Sequence, residues 1–294
     1  MSHDFQVVLS GGLGNQLFQI SAGLFAAINN DLTVGFVSAP TKFSSFNHKN
    51  EIREFVELPI ASWPNEAKIF ANASFRLKRK AASSLNLASQ VLKIDAPKEF
   101  GYSSNLKYVA HGWKMMGYYQ SFIYYEKVAP NLRSIIKEPI LSDWARNLRE
   151  KILNERLASI HVRRGDYVIL AENFGLLGFN YYESAMNEIN SRTGKEHFVV
   201  FSDDVKAARD LLSKTKYKLT FVEPPQGTPS GESLHLMSFC QDHVIANSSF
   251  SWWGAALAQV EGVTVAPLEW MKNKVIIKNL IPSEWIRSSP DWVN

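Results

Sequence analysis

From Leu157 to the end of the chain, short apolar runs alternate with helical stretches in a regular order that few folds accommodate. LASIHV, HFVVFS, KLTFV, HVIAN and VTVAP read as buried strands, and YYESAMNEIN, DVKAARDLLS, ESLHLMSFC and FSWWGAALAQ as the helices between them. A helix between successive strands is the mark of a crossover connection, so these strands are predicted to lie parallel in a doubly wound sheet. In such sheets ligands gather outside the carboxyl ends of the strands. The segments predicted there are RRGDY, SDD, EPPQGTPSGE and NSSFS, all polar or glycine-bearing.

The first half begins in the same style. QVVLS (6–10) reads as a short buried strand, GGLG as a turn, and the next stretch as a helix with Leu17, Ile20, Leu24 and Ile28 on one face. LTVGFV (32–37) follows at the spacing of a parallel crossover. Residues 40–105 carry Pro40, Pro59, Pro64 and Pro97 among polar runs and give no clear order. KYVAHGWKM (107–115) reads as a strand leading into the aromatic stretch GYYQSFIYYEK, and residues 141–156 as a charged helix connecting two halves. The chain of 294 residues suits two domains of ordinary size, an N-terminal one over 1–150 and a C-terminal Rossmann-like one over 151–294.

Charge narrows the partners. Lys plus Arg exceeds Asp plus Glu by 32 − 28, or +4, a balance that suits an acidic small molecule better than nucleic acid. The densest basic run, RLKRK (76–80), is a solvated face or a membrane-surface patch. Cys240 is the only cysteine, which excludes an intrachain disulfide and a cysteine metal cage and points to a reducing cytosol. MSHDFQVVLS has no charged-then-apolar leader, and no window of about 18 apolar residues occurs, so neither secretion by a signal peptide nor a membrane span is expected. The glycosylation patterns at Asn72 and Asn247 are read as coincidence.

Four stretches carry chemistry. GGLGNQ (11–16) sits where a strand hands over to a helix; it is either a tight turn or a place where backbone N–H groups meet an anion, with Asn15 and Gln16 just beyond. It lacks the Lys-Ser/Thr of a P-loop and the full dinucleotide fingerprint. HVRRGDY (161–167) offers two arginines. As structure, one pairs with Asp166 and the other points to solvent; as a site, one guanidinium, chosen as Arg163, forks onto a phosphate while Asp166 shapes the loop. SDD (202–204) is a helix cap, or supplies Asp203 as the acceptor for a guanine edge; a metal role is disfavoured because no Asp-x-Asp or paired His is present. In NSSFSWWGAALA (247–258), Ser251, Gly254 and Ala258 form a small-residue face, and Ser248, Ser249 and Ser251 offer neutral donors to a diphosphate. Trp252 and Trp253 are core or a sugar platform.

Taken in order, GGLGNQLFQ, GYYQS, HVRRGDYV, FSDD, LHLMSFC and ANSSFSWWGAAL resemble the bacterial α-1,2-fucosyltransferases of glycosyltransferase family 11 across nearly the whole chain. The resemblance implies a GT-B-like fold of two facing Rossmann-like domains. It also implies metal-independent, inverting transfer of L-fucose from GDP-β-L-fucose to a galactose 2-hydroxyl, with no cofactor. By it, Arg163 grips the β-phosphate, His161 lies beside the ribose or guanine, and Asp203 reads the guanine edge. Ser249, Phe250 and Ser251 line the diphosphate and fucose; Gly14 and Asn15 reach the pyrophosphate from the other domain. One departure is that the family's usual acid before L-x-L-M-S is Ser233 here, with Glu232 one place earlier. Asp166, Glu172 and His111 are candidates for the general base that inversion requires. Tyr118, Tyr119, Gln120 and Tyr124 form an acceptor wall or a core. The partners implied are GDP-fucose and a galactose-terminated or lipid-linked glycan, with a cytoplasmic home and peripheral contact at the inner membrane face. The rival readings are a transferase of another GDP-linked deoxysugar and a non-catalytic binder of GDP or carbohydrate.

Overall fold

A computed structural model describes residues 3–38, 51–62, 77–78, 80–81, 91–97 and 100–293. Asn72, and Arg76 and Arg79 of the RLKRK run, lie outside these residues. Contacts divide the chain into two units, Met1–Glu138 with Ile277–Leu280, and Pro139–Ile276 with Ile281–Asn294. The chain therefore leaves the second unit, lends four residues to the first, and returns.

The first unit is built on the strands β1 (Phe5–Leu9), β2 (Val34–Ser38), β3 (Ile60–Ser62), β4 (Ile94–Asp95) and β5 (Lys114–Met115). They are all parallel and ordered β3-β2-β1-β5-β4. Its helices include α1 (Leu13–Asn30), the single turn α2 (Ile52–Phe55) and α3 (Phe122–Ile135). Leu17 and Ile20 are buried as the apolar face requires, but Ile28, in the last turn of α1, is 57% exposed. At Gly23 a Cβ would come 2.7 Å from Val7, so α1 lies against β1 more closely than alanine permits. The strand expected over 107–115 is mostly not one. Ser103 caps a 3-10 turn over Ser104–Tyr108, Gly112 turns the chain at φ +82°, and only Lys114–Met115 joins the sheet.

The second unit carries β6 (Ala158–Val162), β7 (Leu176–Leu177), β8 (His197–Ser202), β9 (Lys218–Phe221), β10 (His243–Val244), β11 (Thr264–Pro267), β12 (Ile286–Ser288) and β13 (Trp292–Val293). Six of these make a fully parallel sheet ordered β12-β11-β10-β6-β8-β9. β7 and β13 pair separately and antiparallel. The helices are α4 (Asp143–Glu155), α5 (Phe179–Thr193), α6 (Val205–Leu211), α7 (Ser230–Ser238) and α8 (Ser249–Ala256). Side chains alternate between the faces as the pleat dictates. Ala158, Ile160, Val162, Phe198 and Val200 meet Tyr181, Tyr182, Ala185, Met186 and Ile189 of α5, while Val199 and Phe201 meet α4 and α7 on the other face. The stretch expected as a connector is thus a layer helix; Ala145 and Ile152 are its buried stripe.

The small-residue face of 251–258 meets a helix, since a Cβ on Gly254 would strike Met237 of α7. Trp252 and Trp253 are fully buried, and so belong to the core. No helix among the described residues is long and apolar enough to cross a membrane.

Candidate functional site

Where strand order reverses in a doubly wound sheet, the loops on either side of the reversal leave in opposite directions and a crevice opens at the carboxyl ends. In the second unit the reversal falls between β6 and β10, the central pair. The loop after β6 begins Arg163-Arg164-Gly165-Asp166, and the one after β10 runs Asn247-Ser248 into α8. In the first unit β1 lies between β2 and β5, and the loops there are Ser10-Gly11-Gly12 and Met116–Ser121. Each sheet thus presents, at its own reversal, motifs singled out from the sequence.

Arg163 is held on three sides. Its Nη2 donates to Asp166 Oδ1 at 2.5 Å, its Nη1 lies 3.0 Å from Asp203 Oδ2, and its guanidinium carbon sits 5.3 Å from the centre of the Tyr167 ring. The two carboxylates hold the guanidinium in its charged form against the opposing effect of burial. Arg163 meets Asp203 because β6 and β8 pair Val162 with Ser202, which brings the next residue of each strand together. Asp203 also accepts the N–H of Arg164 at 2.8 Å, while Asp204 takes the capping role by accepting from Ala207 at 2.9 Å. Tyr167 donates to Asn247 O at 2.9 Å and stacks on Phe174, tying the two loops of the reversal to each other. Arg164 does not reach solvent: it is 7% exposed and donates to Leu177 O at 3.0 Å.

His161 is 4% exposed, and its ring lies 5.6 Å from that of Phe250. Burial, assisted by the Arg163 charge, lowers its pKa to about 3, so the imidazole is neutral. Two buried atoms at this place have no hydrogen-bond partner among the described residues, His161 Nδ1 and Arg163 Nε. Such orphans are uncommon in folded proteins and leave these two polar atoms open to a further partner. Ser248 is the N-cap of α8 with no side-chain cap bond, leaving the first-turn N–H groups without a capping side chain. Ser249 and Phe250 are half-buried. Ser251 is turned inward, its hydroxyl shared between Ala246 O at 3.2 Å and Ser248 O at 3.1 Å, so its contribution to an anion is confined to its main chain.

Gly165 is the tightest point of the loop. It has φ +22°, and a Cβ there would stand 2.3 Å from Asp203 Oδ2. Gly194 shares the left-handed region at φ +71° with nothing within 4 Å of an added Cβ. Gly165→Ala is therefore expected to cost about 2–3 kcal/mol, and Gly194→Ala about 1 kcal/mol, in urea unfolding. Equal losses would mean that the crowding by Asp203 is unimportant.

In the first unit Gly12 is an N-cap without a side-chain bond, and Gly14 is buried in the first turn of α1. Asn15 accepts from Gln120 Nε2 at 2.8 Å. Gly11, at φ +78°, passes beneath Asn15 and Tyr118; a Cβ would lie 2.9 Å from the first and 3.2 Å from the second. Tyr118 stacks on Phe100 with centroids 5.5 Å apart. Tyr119 and Tyr124 are core: Tyr119 adopts φ +53°, held there by its hydroxyl, which donates to Asp95 O and accepts from Met116 N. Gln16 Oε1 and Ser121 Oγ are buried without partners among the described residues.

Other candidates fall elsewhere. His111 pairs with Asp4, at the amino end of β1, on the far side of the strand from the glycine loop. A five-residue strand puts these ends about 17 Å apart, so His111 does not serve the carboxyl ends of that sheet. Glu172 is exposed in the loop beyond Tyr167. Glu232 accepts from the Ser142 hydroxyl at 2.8 Å at the start of α4. Among the described residues no three His, Cys, Asp or Glu side chains gather as a metal set. Sequence reading missed Tyr167 as a clamp, and the pair Tyr181 and Tyr182, whose hydroxyls donate to Ile245 O at 2.6 Å and His161 O at 3.2 Å. These bonds fix the strand ends that carry the site; an aromatic inside a charged motif was the available signal for the first.

The chain is 27% identical to an alpha-1,2-colitosyltransferase of Escherichia coli, over 95% of this chain and 97% of that one. It is also 27% identical to the O-antigen biosynthesis glycosyltransferase WbnK of Escherichia coli, over 95% and 98%. Its fold resembles the crystal structure of fucosyltransferase NodZ from Bradyrhizobium with a TM-score of 0.51 and 13% identity, covering 86% of this chain and 92% of the other. The architecture is GT-B-like. Residues 92–288 match the model of Glycosyl transferase family 11, and on that match the chain belongs to this family of glycosyltransferases.

Proposed function

We propose that the protein transfers L-fucose from GDP-β-L-fucose to the 2-hydroxyl of a β-galactoside with inversion, forming an α-1,2 linkage during surface polysaccharide synthesis. The observation that carries this reading is the pair of orphaned buried atoms, Arg163 Nε and His161 Nδ1, at the strand reversal beside the N-terminus of α8. An arginine with an open prong suits a phosphate, and a neutral imidazole next to it suits an uncharged donor or acceptor on the nucleoside. As the bond from the sugar C1 to the diphosphate breaks, negative charge accumulates on the leaving nucleotide. A fixed guanidinium then stabilises the transition state more than the ground state. On this reading Arg163, Ser248, Ser249 and Phe250 hold the donor diphosphate and sugar. Tyr118 and Gln120 belong to the acceptor side.

The reaction needs no metal in this proposal, because Arg163 and the α8 amides supply the positive potential. The acceptor is a galactose-terminated or lipid-linked glycan, met in the cytoplasm at the inner membrane face. The relation to a colitosyltransferase favours a second reading, in which the donor is another GDP-linked deoxysugar. GDP release from GDP-fucose, GDP-colitose and GDP-mannose, each with lactose as acceptor and with EDTA present, separates the two. GDP-fucose is expected to be turned over fastest, with the linkage read from the product. Binding of GDP without release from any donor would overturn the catalytic reading.

A further inference from the structure

Arg163 faces a charge problem that the donor reading alone does not solve. One guanidinium paired with Asp166 and Asp203 sums to +1 − 1 − 1 = −1, a local balance that opposes the approach of a diphosphate. One carboxylate must give way, and the geometry distinguishes them.

A guanidinium offers two forks, one between its terminal nitrogens and one between Nε and Nη2. Asp203 lies on Nη1 and is anchored a second time by the N–H of Arg164. Asp166 lies on Nη2, and Arg163 is the only partner of its carboxylate among the described residues. Arg163 Nε, the other prong of the side fork, is the buried orphan. A phosphate seated on both Nε and Nη2 would share Nη2 with the Asp166 carboxylate, at a separation where like charges repel strongly. Asp203 would be on the opposite nitrogen. With Asp166 displaced, Arg163 keeps Asp203 on one side and the Tyr167 ring beneath it, so the fork stays oriented.

We propose that Asp166 is a specificity-determining competitor: it occupies the shared nitrogen of the Arg163 fork, and only a multiply charged phosphate that uses both prongs displaces it. Chloride and other small monoanions, which gain a single contact, do not. The inference rests on the donor reading and deepens it by stating what the site refuses. Asp166 here touches the arginine that receives the anion and acts through it.

The test is calorimetric titration of GDP and of inorganic pyrophosphate into the full chain, as wild type, Asp166→Asn and Asp203→Asn, at low and high sodium chloride. Asp166→Asn is expected to bind both ligands about ten-fold more tightly at low salt, because a like charge has been removed from the receiving nitrogen. It is also expected to lose more of its GDP affinity in high chloride than the wild type does, since chloride reaches the uncovered nitrogen. Asp203→Asn is expected to weaken binding, because it loosens both Arg163 and the Arg164 N–H. Asp166→Ser is the second neutral variant should the asparagine fail to fold. Unchanged or weaker binding by the neutral variants at position 166, with GDP still bound by the wild type, overturns the proposal while leaving the donor reading intact. A wild type that binds neither ligand overturns both.

Discussion

Arg163→Lys is expected to lower turnover at saturating donor by about 100-fold, equivalent to roughly 3 kcal/mol of transition-state stabilisation. Lysine keeps the charge and loses the fork. A guanidinium serves Asp203 through Nη1 and retains Nε and Nη2 for a phosphate, whereas an ammonium is a point charge that the two carboxylates can absorb completely. The Tyr167 ring under the arginine would also lose its planar partner. Because the charge on the nucleotide grows as the bond breaks, the loss should appear chiefly in kcat. A lysine variant that retained most of its kcat would show that the leaving group is stabilised somewhere else.

Acid is expected to unfold the protein steeply below pH 6.5. Burial lowers the pKa values of His161, His235 and His243 to about 3, about 4 and about 4. In the unfolded chain each titrates near 6.5. The folded values lie below the unfolded ones, so the stabilisation is fully present above pH 6.5 and is lost as pH falls toward 4 and then 3. Within that window each histidine costs about 1.4 kcal/mol per pH unit, and the three together up to about 4 kcal/mol per unit. Asp95 acts in the opposite sense, since burial raises its pKa and acid favours its folded form, but it is one group against several. Urea unfolding at pH 7.5, 6 and 5 measures the slope. Replacing His243 by Gln, which can keep a hydrogen bond toward the Ser159 hydroxyl now 2.7 Å from Nδ1, should remove roughly a third of it. A flat profile would mean that water reaches these rings.

Much of the second unit is legible in the sequence because both faces of its sheet are covered. Strands such as HFVVFS then read as unbroken apolar runs, and the helices between them show their stripes. The order of the strands is not legible, since it is decided by which helix packs on which face. The site divides along the same line. Polar motifs at strand ends are visible as sequence. That Asp203 reaches Arg163, 40 positions earlier, depends on a register that pairs Val162 with Ser202 and leaves no local trace. Stretches without periodicity misled: the apolar content of KYVAHGWKM suggested a strand, but Gly112 and the Ser103 cap allow only its last residues to extend. His111 fell at the wrong end of the sheet for the same reason.

The path of the polypeptide near its end has a practical consequence for anyone who divides the molecule. A fragment stopped at Ile276 would lack β12, which completes one margin of the six-stranded sheet, and β13, the partner of β7. A fragment ended at Glu138 would lack Asn279, whose carbonyl receives the N–H of Phe122 at the first turn of α3. A single scission therefore injures both products, and separate expression of either half calls for grafting the Ile277–Leu280 tetrapeptide out of one and into the other.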